Sequence, residues 1–328
     1  MKKVVYTCPY IPAEWITAHS LKPCRIIPNS IIHDSEITRT EGLCPYVRNF
    51  INNLKEENNC GVVVTTVCDQ MRRGFDIIQS RFVQPAFLMN VPNTWQTVAS
   101  QKLYMDELKR LGKFLVQLGG NTPSNDILIK VMLEYDVIRK SIIASQDKLT
   151  ARQFAEMTVT FGKDCSDEFT NCLPKNKLNL KGIPLAIVGG PLLKQNLVIL
   201  DLVEKLGGLI VLNATETGER GLCAPFDHRG LNENPLMELA NAYFNSIHDA
   251  SRRPNSELYK WLKKMLADRE VRGIIFHRNL WCDIWHAELK RLKDWVGLPF
   301  LDIESTCDGE SNQPRNENRI RAFLEMLH

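Results

Sequence analysis

The sequence has no apolar run near the ~18 residues that span a bilayer, so nothing in it argues for a membrane-crossing helix. It has almost no charge excess. Lysine and arginine number 41 against 38 acidic residues, a net +3 spread along the chain. That balance gives no case for nucleic acid or an anionic membrane as partner. There is no CxxC pair among the ten cysteines, which argues against a zinc ribbon or thioredoxin-like chemistry. No GxGxxG occurs either; "VGGPLLKQN" has paired glycines without the phosphate cradle of a plain NAD-binding Rossmann enzyme. The opening "MKKVVYTCPYIPAEW" has only a short apolar stretch broken by prolines and reads as a first strand, not a signal peptide. With so many unpaired-looking cysteines in a long chain, the expectation is a cytoplasmic protein with reduced thiols.

What is there is alternation. "GVVVTTVC" (Gly61–Cys68) and "AFLMNVP" (Ala86–Pro92) are short apolar runs with an amphipathic "DQMRRGFDIIQSRF" between them. From about residue 100 the pattern changes to long helical periods, "QKLYMDELKRLGKFLVQLGG" and "NDILIKVMLEYDVIRKSIIASQDKL", the second opened by start signals in "NTPSND". After residue 178 the alternation resumes with "IPLAIVGG", "LIVLNA", "RGIIFHR" and "LPFLDIES", separated by helical stretches. The expected fold is α/β: an N-terminal unit over 1–100, a helical segment over 101–178 and a C-terminal unit over 179–328, with two Rossmann-like (flavodoxin-like) parallel sheets.

In such sheets ligands bind beyond the carboxyl ends of the strands. Cys8, Cys68 and Cys282 follow strand candidates, and Cys44 opens a helix in "LCPYVR". Each alone reads as a small buried residue. Four at strand-to-helix transitions share one logic, because a helix N-terminus favours a thiolate and thiolates there suit a metal or an iron–sulfur cluster. A nucleophilic role for Cys282 would need a histidine base. His277 and His286 flank it, but without a known catalytic signature. Spacing alone leaves cluster, zinc and core filling open.

Several segments together resemble the 2-hydroxyacyl-CoA dehydratase and benzoyl-CoA reductase family. "VVYTCPYIPAEWITAHSLKPCRI" is similar to its opening, "CPYVR" and "VVVTTVCDQMRR" to its first two cluster-cysteine segments, and "GIIFHRNLWCDIWHAELKRL" to its third. "IPLAIVGGPL" resembles its second-domain strand-turn and "RIRAFLEML" its last helix, so the resemblance covers nearly the whole chain in order. It implies an iron–sulfur subunit acting in anaerobic metabolism as a lyase or oxidoreductase. Cys44, Cys68 and Cys282 would be thiolate ligands of one [4Fe-4S] cluster with an open iron. A separate ATP-hydrolysing activator iron–sulfur protein would deliver a low-potential electron, which passes to an acyl-CoA thioester. The partner would be a related iron–sulfur subunit in a heterodimer, or a second copy in a homodimer. Glu14, in the family's P-x-E helix start, is the candidate acid/base carboxylate. Asp69 and Asp283 are candidates for helix caps or acceptors around the ligands, and Arg72 and Arg73 for charge toward CoA phosphates.

The chain departs from the family's pattern. It is short for a catalytic subunit, and "HDASRRPN" stands where many relatives carry a cysteine. Some relatives hold a double-cubane [8Fe-9S] cluster through six cysteines, for which Cys8, Cys223 and Cys307 would supply the extra thiolates. The alternatives are therefore a double-cubane reductase or electron-transfer protein acting on a small molecule, or a non-catalytic scaffold subunit.

Overall fold

The computed structural model describes residues 1–30, 42–55, 59–161, 173–174, 176, 178, 181–306 and 313–328. Two four-stranded sheets, both wholly parallel, organise it. The first contains β1 (Lys3–Tyr6), β2 (Lys22–Arg25), β3 (Gly61–Thr65) and β4 (Ala86–Met89) in the order β2-β1-β3-β4. The second contains β5 (Ile183–Gly189), β6 (Gly208–Ala214), β7 (Gly273–Asn279) and β8 (Phe300–Ser305) in the order β6-β5-β7-β8. Central strands of such sheets are covered on both faces and so read as continuous apolar runs. β3, "GVVVT", is buried at every position.

The helices are α1 (Ala13–Ala18), α2 (Pro45–Asn53), α3 (Asp69–Arg81), α4 (Val98–Gln117), α5 (Asn125–Ala144) and α6 (Ala151–Thr160) in the first half. The second half has α7 (Val198–Lys205), α8 (His228–Glu233), α9 (Pro235–Ser246), α10 (Ser256–Asp268), α11 (Asp283–Val296) and α12 (Gln313–Leu327). Their ends follow local rules. The Thr97 and Ser124 side chains accept the amides of Ser100 and Ile127 at the starts of α4 and α5. Thr150 and Gln153 form a reciprocal capping box on α6. α11 stops at Gly297 in the left-handed conformation. None of the helices among the described residues is long and apolar enough to cross a membrane.

The helical segment does not stand apart. α4 and α5 pack with α1 and α9 into one core that includes Tyr10, Ile16, Tyr104, Leu111, Tyr135, Tyr243 and Phe244. Residues 222–247 thus join the N-terminal core although they follow the second sheet's first two strands in sequence. The expected boundary near 178 marks a change of texture, and the chain later crosses back over it. A parallel bridge from Thr94 to Arg253 adds a second tie between the halves.

In both sheets the strand order reverses direction beside the first strand: β1 lies between β2 and β3, and β5 between β6 and β7. The loops leaving β1 and β3 diverge to opposite sides, as do those leaving β5 and β7, and each divergence opens a crevice. At the end of β5 the backbone of β7 comes very close. Gly189 has φ +146, and a Cβ there would lie 1.8 Å from the His277 carbonyl oxygen. Only glycine accommodates that approach.

Candidate metal centre

The two crevices meet at one cavity of about 70 Å³. β1 contributes Thr7 and Cys8, β3 contributes Thr65 and Cys68, β5 contributes Pro191, β6 contributes Glu216, and β7 contributes Asn279 and Cys282. Cys44 enters from the start of α2, and Asp249 from the loop after α9. The three sequence-expected ligands, drawn from positions 44, 68 and 282, therefore line a single space. Met71, Val47, Ile284 and Trp285 supply its apolar wall.

Each of the three cysteines is the N-cap of a helix: Cys44 for α2, Cys68 for α3 and Cys282 for α11. Their backbones are non-helical, with Cys44 and Cys68 extended, while the next residue begins the helix. The unpaired N–H groups and the positive dipole end of all three helices are thus directed at the same cavity, which favours anionic sulfur. The local signals are plain in the sequence: Pro45 is fixed for the first helical position, and Asp69 and Asp283 add acids to the first turn. Both aspartates are solvent-exposed at that turn, Asp69 with a loose 3.9 Å pairing to Arg72, so they neither cap the helix nor reach the cavity. Arg72 and Arg73 are exposed as well. The residue before Cys282 is held unusually: Trp281 has φ +61, a conformation a bulky side chain seldom adopts.

Burial raises the Cys68 thiol well above its usual range. The charge of Cys44 adds to this, and the amide of Met71 opposes it. Burial likewise pushes Cys282 up to about 12, the Trp285 amide opposing and Cys44 adding. Cys8 rises to about 12 through burial and the charge of Glu216. The mutual influence of Cys44, Cys68 and Cys282 expresses their proximity in a dry space. Protonated in isolation, such thiols release protons when a cation arrives, so metal binding and deprotonation are coupled. Among the described residues no group of three His, Cys, Asp or Glu side chains is close enough to hold one metal ion. One ion would need its sulfurs within about 2.3 Å of a single centre, whereas a cluster spreads its thiolates over several irons. Three thiols on one cavity are donors that zinc and an iron–sulfur cluster both accept.

Cys8 is brought to the same cavity, whereas Cys223 is not. Cys223 is buried beside Tyr243, Arg139 and Glu14, on a different cavity of about 320 Å³. Cys307 lies outside the described residues. Glu14 is also elsewhere. It is fully buried, with one carboxylate oxygen accepting from Arg139 and the other from the Tyr243 hydroxyl at 2.6 Å. Arg139 donates in addition to Asp136 at 2.9 Å. The position expected to hold an acid/base group in the cleft instead joins α1, α5 and α9 through an interior ion-pair network. The histidines flanking Cys282 do not line the cavity either: His277 bonds Ser305 at 2.8 Å inside the second sheet, and His286 is exposed. A cysteine–histidine nucleophile thus has no geometric basis among the described residues.

The sequence reading missed the acidic side of the cavity. Glu216 lies two residues past β6 in "NATETGERG", and Asp249 beyond α9. Arg220 organises them. It pairs with Asp249 and donates to the carbonyls of His248 (2.7 Å), Gly189 (2.8 Å) and Ala214 (3.1 Å), with its guanidinium 4.7 Å from the Trp285 ring centroid. Arg25 donates to the carbonyls of Thr7 (2.9 Å), Glu216 (2.8 Å) and Gly221 (3.2 Å). The strand-end rule that selected the cysteines applies equally to β6 and would have selected Glu216.

The model of the family described as "2-hydroxyglutaryl-CoA dehydratase, D-component" matches residues 8–327. The chain belongs to this family. That match takes in all of the cavity-lining residues from Cys8 onward, and the family description names a component of a dehydratase. An Escherichia coli (strain K12) protein described as "Putative dehydratase subunit YjiM" is 22% identical over 368 residues, spanning 98% of this chain and 90% of that protein. Membership in the D-component family and the doubled parallel-sheet architecture agree with the expectations drawn from "CPYVR", "VVVTTVCDQMRR" and "GIIFHRNLWCDIW".

Proposed function

We propose that this chain is the cluster-holding subunit of a 2-hydroxyacyl-CoA dehydratase, with Cys44, Cys68 and Cys282 as the thiolates of a [4Fe-4S] cluster. The observation that carries this reading is the meeting of three cysteines, each heading its own helix, on one cavity at the carboxyl ends of both sheets. A cluster bound there would supply low-potential one-electron chemistry toward an acyl-CoA thioester. The chain's own residues prepare the place. Three helix N-termini offset the negative charge of the sulfurs. Met71, Val47, Ile284 and Trp285 limit water, and a dry surround lowers the potential at which a cluster accepts an electron. Arg220 and Arg25 hold the strand-end loops in place through backbone carbonyls, so the ligands are presented from a rigid frame. The electron would come from an ATP-hydrolysing activator iron–sulfur protein, and the working complex would include a related subunit.

Anaerobic purification with iron and sulfide quantification tests the assignment. About four irons per chain are expected, with loss of most of them in Cys282→Ala. A full complement retained by Cys282→Ala contradicts it. One second reading is the double-cubane cluster, for which Cys8 lies on the same cavity while Cys223, which it also needs, lies on a different one. That reading calls for about eight irons per chain, and activity toward a small molecule in place of 2-hydroxyglutaryl-CoA.

A further inference from the structure

Asp249 is buried and lines the cavity shared by Cys44, Cys68 and Cys282. Both of its oxygens are committed: Oδ1 accepts the Ser251 amide at 2.8 Å, and Oδ2 pairs with Arg220. The carboxylate is thus fixed in place and acts on the cavity through its charge. That charge is felt there. Next to burial, Asp249 is the largest influence raising the Glu216 carboxyl, and Arg220, followed by Arg25, works against it. After burial, Cys44 and Glu216, the charge of Asp249 also raises the Cys282 thiol.

Arg220 is the counter-charge, and it is held from several sides. Its guanidinium donates to the carbonyls of Gly189 and Ala214, which end β5 and β6, and to that of His248. Its face rests on Trp285, which lies three residues past Cys282 and lines the same cavity. One buried cation therefore touches two strand ends, the acid at the cavity wall and the helix headed by Cys282. A buried ion pair contributes little net stability compared with apolar residues of the same volume, so stability alone does not account for one placed here.

We propose that the Asp249–Arg220 pair sets the reduction potential of the centre held by the three thiolates, with Arg220 as the positioning residue that keeps the Asp249 charge compensated. This rests on the cluster-subunit reading above and adds to it the charges that govern electron entry. Reduction transfers one electron from an external one-electron reductant to the centre, whose charge becomes more negative by one unit. A fixed anion at the wall opposes that step and a fixed cation favours it, and surroundings of low dielectric enlarge both effects. Together the two charges nearly cancel; either one alone shifts the potential, and the signs are opposite.

The test is a redox titration of the anaerobically isolated protein with titanium(III) citrate, followed by the EPR signal of the reduced centre, with iron and sulfide measured alongside. Asp249→Asn keeps the side-chain shape and removes the charge, so the midpoint should move up. Arg220→Met leaves the acid uncompensated and should move it down. The double variant restores the net charge and should return toward wild type. Arg220→Lys, which keeps the cation and loses the forked carbonyl contacts, should also stay near wild type. A role confined to holding the loops predicts shifts of one sign in both single variants, with no recovery in the double. That result, or coincident midpoints throughout, overturns the inference. If Arg220→Met loses its iron, Asp249→Asn decides by itself: an upward shift supports the inference, and an unmoved or lowered midpoint overturns it. Loss of iron from Asp249→Asn overturns it too, since the acid would then be holding the centre together. Wild-type protein that binds iron and sulfide while the variants fail this pattern sinks the inference alone. Wild-type protein without iron sinks the cluster-subunit reading, and the inference with it.

Discussion

Glu14→Gln separates a catalytic carboxylate from a framework one. Glu14 and Arg139 are both fully buried, on α1 and α5, and Tyr243 of α9 supplies the second hydrogen bond. The substitution keeps the volume and one acceptor oxygen but removes the charge and sets an NH2 group against a donor. Arg139 is left with Asp136 as its nearest anion, at 2.9 Å, and Asp136 is already shared with Lys140 at 2.7 Å. Breaking one member out of a buried pair costs about 3–5 kcal/mol. Against a total stability of about 5–15 kcal/mol, that is a large fraction. At about 1.5 °C per kcal/mol for a chain of 328 residues, the midpoint of thermal unfolding should fall by roughly 4–7 °C. Scanning calorimetry or urea unfolding of wild type and variant, both anaerobic, measures it. Tyr243→Phe should lose only about 1–3 kcal/mol, and the two changes should be non-additive because they share a partner. A Glu14→Gln protein with an unchanged midpoint and greatly reduced turnover would refute the reasoning and return Glu14 to the chemistry.

Two further outcomes are expected. Cys8→Ser should leave a [4Fe-4S] complement intact, because Cys44, Cys68 and Cys282 suffice for three irons; loss of about half the iron would favour the larger cluster. Stability should fall on the acid side through His277. Burial first, and then the charge of Arg278, lower its pKa to about 3, against about 6.5 in an unfolded chain. The unfolded state therefore binds the extra proton as pH drops below about 6.5. Native stability from this group is fully present above that value and is lost progressively toward pH 3, at a slope of up to about 1.4 kcal/mol per pH unit. Urea midpoints at pH 7, 6 and 5 should show a steeper decline for the wild type than for His277→Gln; parallel slopes would exclude His277 as the source.

Much of this molecule was written locally. Runs such as "GVVVT" and "RGIIFHR" are too short and too β-branched for helices, and their helical intervals dictate parallel sheets. Cysteines placed just past such runs must fall at the carboxyl edge, because side-chain placement at a strand end depends only on nearby backbone. That is why Cys8, Cys68 and Cys282 could be set at strand ends without coordinates, whereas Cys44 was marked by the helix start at Pro45 and the choice of Cys44, Cys68 and Cys282 as ligands came from the family resemblance. What local pattern does not carry is which strand end faces which. Only packing brings the end of β7 to the end of β3, turns Glu14 inward onto Arg139 and Tyr243 from 125 and 229 positions away, and separates Cys223 from Cys8. The same packing places Glu216 and Asn279 on the shared cavity. These are contacts between segments distant in sequence, fixed by the total burial of both cores rather than by any residue's own preference.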